Sequence, residues 1–388
     1  MTNEKPVDEK VPSRPRLFYI DNLRILLTSL VVLHHLAIGY GGPGSFAYYE
    51  RGPISTASTI LMTLLLGINQ AFFMGFFFLI SSYFTPSSYD RKGAWSYLKD
   101  RLKRLGIPLL FYILVIDPLF NYGLSRNHGY PGSLRDFLGL MLNDYRALGV
   151  GPLWFVEVLL IFAFLYVLWR LFLNPAVTPA PSESKAPSNL AIAGFASVLA
   201  LLNFVVRIWL SVGTVNLFGF QFAHFSQYIA MLVVGVLAYR RNWFSGLTDA
   251  QGKFWRWIIL VLVVLFFVLF VAGGALEGNI DVFMGGLTWQ SLALAFWEQF
   301  MCLAVIATLL VWFRNRFNRQ GPLAKELSGA AYATYIFHQP VIVLLMLALG
   351  GIRLDMGLKF VLVAPVAVSL CFLVGFVVKR LPVARRIV

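Results

Sequence analysis

Residues 24–40 read RILLTSLVVLHHLAIGY. An arginine opens the stretch, two adjacent histidines stand near its end, and almost everything between them is aliphatic. With its flanks it is long enough to cross a hydrocarbon core, which takes about 20 mostly apolar residues for about 30 Å. Whether lipid or a protein core surrounds it decides the fold, because an ionisable side chain means something different in each.

The rest of the chain identifies the solvent. Of 388 residues, 59% are hydrophobic and only 13% charged, with 35 Phe, 16 Tyr and 10 Trp. Mean hydropathy is +0.73. Soluble domains carry about 25% charged residues, too many for this chain to be one. The sequence therefore predicts an all-α, polytopic integral membrane protein. Its net charge of +14 does not point to nucleic acid, since Lys and Arg in such proteins mostly set topology. Cys302 and Cys371 each lie in an apolar run, which excludes a disulfide framework or a Cys-rich metal site, and no metal is expected.

Ten candidate spans follow from hydropathy: roughly 24–40, 60–83, 106–122, 153–173, 190–211, 219–239, 256–275, 287–313, 329–350 and 357–379. Residues 1–16 are polar and read as a disordered cytoplasmic tail, with no cleavable signal peptide apparent. Residues 17–388 read as one transmembrane domain, in which the Pro/Ser-rich segment 174–189 links two helical halves. With both termini cytoplasmic, 24 basic residues fall on the inner side and 7 on the outer, with Arg24 at the inner end of the first span. That bias is the positive-inside pattern, and it predicts a multi-pass protein of the cell inner membrane.

Ionisable side chains inside lipid are costly and mark functional sites. Arg24 and His35 are eleven residues apart, so at about 100° per residue they share a helix face, with about 16 Å of rise between them. His34 lies about 80° off that line. His338, 13 residues beyond Lys325, and Glu298, 16 before Arg314, fall about 20 and 24 Å from those basic residues. Two histidines near the bilayer midplane and one carboxylate thus come from three helices at similar depth, where they can converge. The bland alternatives are a snorkelling arginine, helix-packing polar groups, and a histidine bonded to a carbonyl freed by Pro340.

A second group lies in YLKDRLKRLGIP, residues 97–108. Arg101 and Arg104 are spaced i, i+3 and face one way. Topological anchoring explains their charge. Two arginines on one face also suit a bidentate grip on phosphate. No Gly-rich phosphate loop accompanies them.

At these residues the chain resembles the acyltransferase 3 family of polytopic membrane acyltransferases. YIDNLRILLTSLVVLHH resembles the family's N-terminal motif, in which an Arg is followed after ten residues by His, here Arg24 and His35. The pattern continues in FFMGFFFLISSYFTP, RLKRLGIP, GPLWFVEVLLIF, QYIAMLVVGVLAYRRNW and AYATYIFHQPV, in order over nearly the whole chain. One departure is Ser82, where many relatives have glycine.

The resemblance implies O-acylation. An acyl group, acetyl in most members, would pass from acetyl-CoA or another acyl-CoA to a hydroxyl of an envelope glycan or a lipid-linked saccharide. The donor's phosphates suit Arg101 and Arg104, with Arg24 at the donor site. His35 suits a general base, since an unperturbed imidazole titrates near working pH. Glu298 and His338 are then candidates to orient the imidazole or the acceptor. The rival reading is a proton-coupled transporter or flippase of an envelope precursor that relays protons through the same His and Glu residues.

Overall fold

A computed structural model describes residues 16–143, 149–173, 185–214, 219–382 and 384–387. The tail through residue 15, Arg146 and linker residues 174–184 lie outside the described residues.

Among the described residues, ten helices are long and apolar enough to cross a membrane: α1 (Phe18–Gly39), α2 (Thr56–Tyr83), α3 (Thr85–Asn127), α4 (Gly151–Leu173), α5 (Asn189–Trp209), α6 (Phe222–Arg240), α7 (Asp249–Ala272), α8 (Trp289–Arg316), α9 (Pro322–Ala348) and α10 (Met356–Val378). They correspond one for one to the spans expected from hydropathy. The fold is all-α, a multi-pass membrane bundle. An even number of crossings brings both ends of α1–α10 to one face, called here the terminal face; the other is the far face. Between α3 and α4 lies a short helix, Leu134–Asn143.

One expectation is corrected. Residues 84–105 are not a connecting segment but the leading part of α3, which runs 43 residues. Its first stretch, Thr85–Arg101, bends at Gly93, whose φ of 72° favours a residue without a Cβ. Wide π-turns at Leu102–Gly106 and Tyr112–Ile116 then precede Pro108 and Pro118. A proline supplies no N–H to the carbonyl four residues back and crowds it. For Pro108 that carbonyl is Arg104's, and the Tyr332 hydroxyl of α9 donates to it at 2.9 Å.

Helix starts are closed by side chains. Ser55, Ser188, Thr248 and Thr288 each accept a backbone N–H at the start of α2, α5, α7 and α8, and Asp355 does so for α10. Since lipid is as apolar as the side chains, association rests on fit rather than on the hydrophobic effect. Small residues supply the fit. A Cβ on Gly235 of α6 would lie 1.9 Å from Ser82 Oγ, and one on Gly375 of α10 would lie 2.3 Å from Thr334 Oγ1 of α9. The Ser82 departure therefore meets a glycine on the facing helix, and the close crossing of α2 and α6 is kept.

The bundle is built around α8, which packs on α1, α2, α5 and α7; α9 packs on α1, and α10 on α9 and α1. Two basic residues expected in outer segments are instead buried. Arg207 is fully buried, and Lys359 is 1% exposed. Lys359 Nζ meets Glu50 Oε1 at 2.5 Å and donates to the Leu349 and Ile352 carbonyls at 2.8 and 3.0 Å. It ties α10 and the end of α9 to the segment after α1.

Candidate active site

The α1 face that carries Arg24 turns into the bundle. Thr28, one turn on, is buried, and His35 follows two turns later, one turn before α1 ends. His338 lies past the middle of α9 and is wholly buried. The two rings meet: His338 Nε2 is 3.0 Å from His35 Nδ1, with ring centroids 4.9 Å apart. The pair therefore stands nearer the far face than the middle of α1.

His338 also contacts a backbone carbonyl within its own turn. Its Nδ1 is 2.6 Å from the Tyr335 oxygen, one residue before the Ile336 carbonyl that Pro340 leaves without an N–H. A carbonyl only accepts, so His338 Nδ1 carries a proton. In a neutral ring Nε2 is then the acceptor, so the proton between the rings belongs to His35 Nδ1. The His35 Nε2 lone pair is left free of this chain of bonds. Phe46 stacks on His35 at 5.1 Å, limiting the ring's freedom to turn.

His34 points elsewhere. Its Nδ1 takes a hydrogen bond from Asn69 Nδ2 of α2 at 3.1 Å, and its ring stacks on Phe73 at 4.9 Å. The ring is thus wedged between α1 and α2.

On the terminal-face side of the histidines lies a cavity of about 820 Å³. Among the described residues, Arg24, Arg101 and Arg104 are the only charged side chains in its lining. Arg24 Nη1 is 3.1 Å from Asp21 Oδ1, and its guanidinium lies over Phe84 at 5.1 Å. Arg101 lies over Tyr97 at 5.0 Å. Three arginines from α1 and α3, separated in sequence, thus share one chamber. His35 and His338 do not line it. Thr28 and Tyr335 form its inner end. Tyr335 is the partition: its carbonyl receives His338, its ring stacks 5.7 Å from that imidazole, and its hydroxyl donates to the Pro152 carbonyl.

Glu298 does not join the histidines. It pairs with Arg207, Nη2 to Oε2 at 2.6 Å. The same guanidinium contacts His224 Nδ1 at 3.2 Å and donates to the Ala223 carbonyl at 3.2 Å. Asn69, Tyr332, Tyr335 and His224 escaped sequence reasoning, since lone polar residues in apolar helices carry no spacing signal. Among the described residues, no cluster of His, Cys, Asp or Glu could hold a metal ion.

The acyltransferase domain family matches residues 17–380. The chain belongs to the acyltransferase 3 family. Among curated proteins, this acyltransferase-family chain is similar to glucans biosynthesis protein C of Shigella dysenteriae serotype 1 and of Escherichia coli strain K12. Each is 29% identical over 162 residues, 40% of this chain and 39% of the relative. The chain thus matches about two fifths of the length of these relatives. No solved structure matches it.

Proposed function

We propose that this membrane protein transfers an acyl group, acetyl in the simplest case, from acyl-CoA to a hydroxyl of an envelope glycan. Family membership supports acyl transfer, and the relatives' name, glucans biosynthesis protein C, supports a saccharide acceptor. The terminal face is taken as cytoplasmic, where coenzyme A is found. Its phosphates would lie against Arg24, Arg101 and Arg104, whose planar donors suit phosphate oxygens. The pantetheine arm would extend past Thr28 and Tyr335 toward the histidines.

The observation that carries the reading is the relay Tyr335 carbonyl, His338, His35. It favours the tautomer in which His35 Nδ1 carries the proton and Nε2 is a proton acceptor. In the proposed step Nε2 takes the proton of the acceptor hydroxyl as its oxygen attacks the thioester carbon. The carbon–sulfur bond then breaks, and the imidazolium returns the proton to the departing thiolate. The products are an ester and free coenzyme A. His338 would stabilise the transient imidazolium through the Nδ1 hydrogen bond, as a buried orienting group does for other catalytic histidines. His338 is thus a positioning residue, and Glu298 is assigned to holding Arg207.

The test is release of free coenzyme A thiol from acetyl-CoA by the purified protein, with and without a glucan acceptor. Acceptor-dependent thiol release is expected. Its absence, with proton-coupled movement of a saccharide instead, would return the histidines to a transport role.

A further inference from the structure

One side wall of the cavity is formed by α4 and α6, which run the same way through the bundle. Near the far face these helices are joined by Trp154 stacked on Tyr228 at 5.6 Å. At the terminal face they are joined through α3, where Asp90 takes Arg170 of α4 at 2.7 Å and Arg240 of α6 at 2.6 Å. Between these two ties, α4 and α6 make little contact. From Tyr228 to Arg240 the gap is about 18 Å tall along the helix.

The residues at its edges line the cavity and also face outward. Leu165 and Trp169 of α4 are 51% and 42% exposed, and Val233 and Leu237 of α6 are 54% and 38% exposed. In a bilayer the surface outside α4 and α6 is hydrocarbon. The window therefore connects an apolar chamber to lipid tails, with a tie of charged residues as its sill. Three arginines inside the chamber add a site for negative charge at headgroup level. An apolar slot opening sideways and a cationic end have the two-part chemistry of an anionic phospholipid.

We infer that the α4–α6 window admits an acyl chain of an anionic phospholipid from the adjoining leaflet, with its phosphate at Arg24, Arg101 and Arg104. The lipid and the donor then compete for one chamber. The competition rests on the donor reading above; the lipid site itself does not. Turnover would thus respond to the anionic lipid content of the membrane as well as to the donor concentration.

The experiment uses the full chain in nanodiscs of phosphatidylcholine, alone or with phosphatidylglycerol carrying a photoreactive group near the acyl-chain end. Crosslinks mapped by mass spectrometry are expected on the inward edges of α4 and α6. The apparent KM for acetyl-CoA should rise several-fold with phosphatidylglycerol while kcat is unchanged. Inorganic phosphate at the same concentration should leave KM where it was. Val233→Trp, which fills the window, should abolish the crosslinks, and its own KM in phosphatidylcholine should no longer rise with phosphatidylglycerol. A rise that persists in Val233→Trp would be general repulsion of the donor by a charged membrane and would overturn the competition. Crosslinks confined to the outer faces of other helices would overturn the window. Window crosslinks with an unmoved KM, in protein that turns over, would leave the lipid site standing and overturn the placement of the donor.

Discussion

Glu298 Oε2 lies 2.6 Å from Arg207 Nη2, and the arginine is completely buried. The carboxylate that depth alone would group with the histidines is instead half of an ion pair linking α8 to α5. Breaking a buried pair from one side leaves an uncompensated charge, at a cost of about 3–5 kcal/mol. Glu298→Ala is therefore expected to lower the melting temperature sharply or to prevent accumulation of folded protein. Arg207→Met combined with Glu298→Leu should recover most of that loss, with turnover per folded molecule near wild type. A double variant that folds but does not turn over would assign Glu298 to the chemistry.

His338 is expected to act through His35. His338→Ala removes the acceptor for the His35 Nδ1 proton and should lower kcat by about 10²-fold or more, within the range for general acid–base groups. KM for the donor should change little. His338→Gln offers a carbonyl oxygen to His35 and an amide N–H to the Tyr335 carbonyl, so it should retain much more activity than His338→Ala. Steady-state kinetics of the two variants checks this. Equal losses in both, or losses confined to KM, would remove the positioning role.

Arg101 and Arg104 are expected to contribute to donor affinity. Replacing either by Ala should weaken donor binding by about 1.5–3 kcal/mol, as for a hydrogen bond to a charged group. Arg101 also covers Tyr97, so Arg101→Lys should recover less than its retained charge suggests. Isothermal titration with acetyl-CoA measures the effect. Unchanged affinity in both alanine variants would return these residues to topological anchoring.

Much of the fold was legible because membrane spans are set by length and hydropathy, and backbone hydrogen bonds within each helix leave few alternatives. The shared face of Arg24 and His35 followed from the helical repeat alone, and so did the separation of His34, which turns to Asn69. The extent of α3 was not legible. Its leading part is polar, so hydropathy starts the span at 106, whereas the structure carries helix back to Thr85 across the kink at Gly93. Partner choice was not legible either. Hydropathy gives depth but not azimuth between helices, so His338 and Glu298 looked equivalent although only His338 reaches His35. Tyr335 gave no signal because its role depends on a backbone carbonyl.

The central claim is that His35, presented by His338, is the base, while His34 serves packing. The most direct measurement is acyl transfer by purified, folded His35→Ala and His34→Ala over a titration of acetyl-CoA. His35→Ala should lose ~10²–10⁴-fold in kcat with donor binding nearly intact. His34→Ala should lose stability through the Asn69 and Phe73 contacts but keep turnover within a few-fold per folded molecule. Full activity of His35→Ala, or an equally deep loss of kcat in folded His34→Ala, would contradict the account.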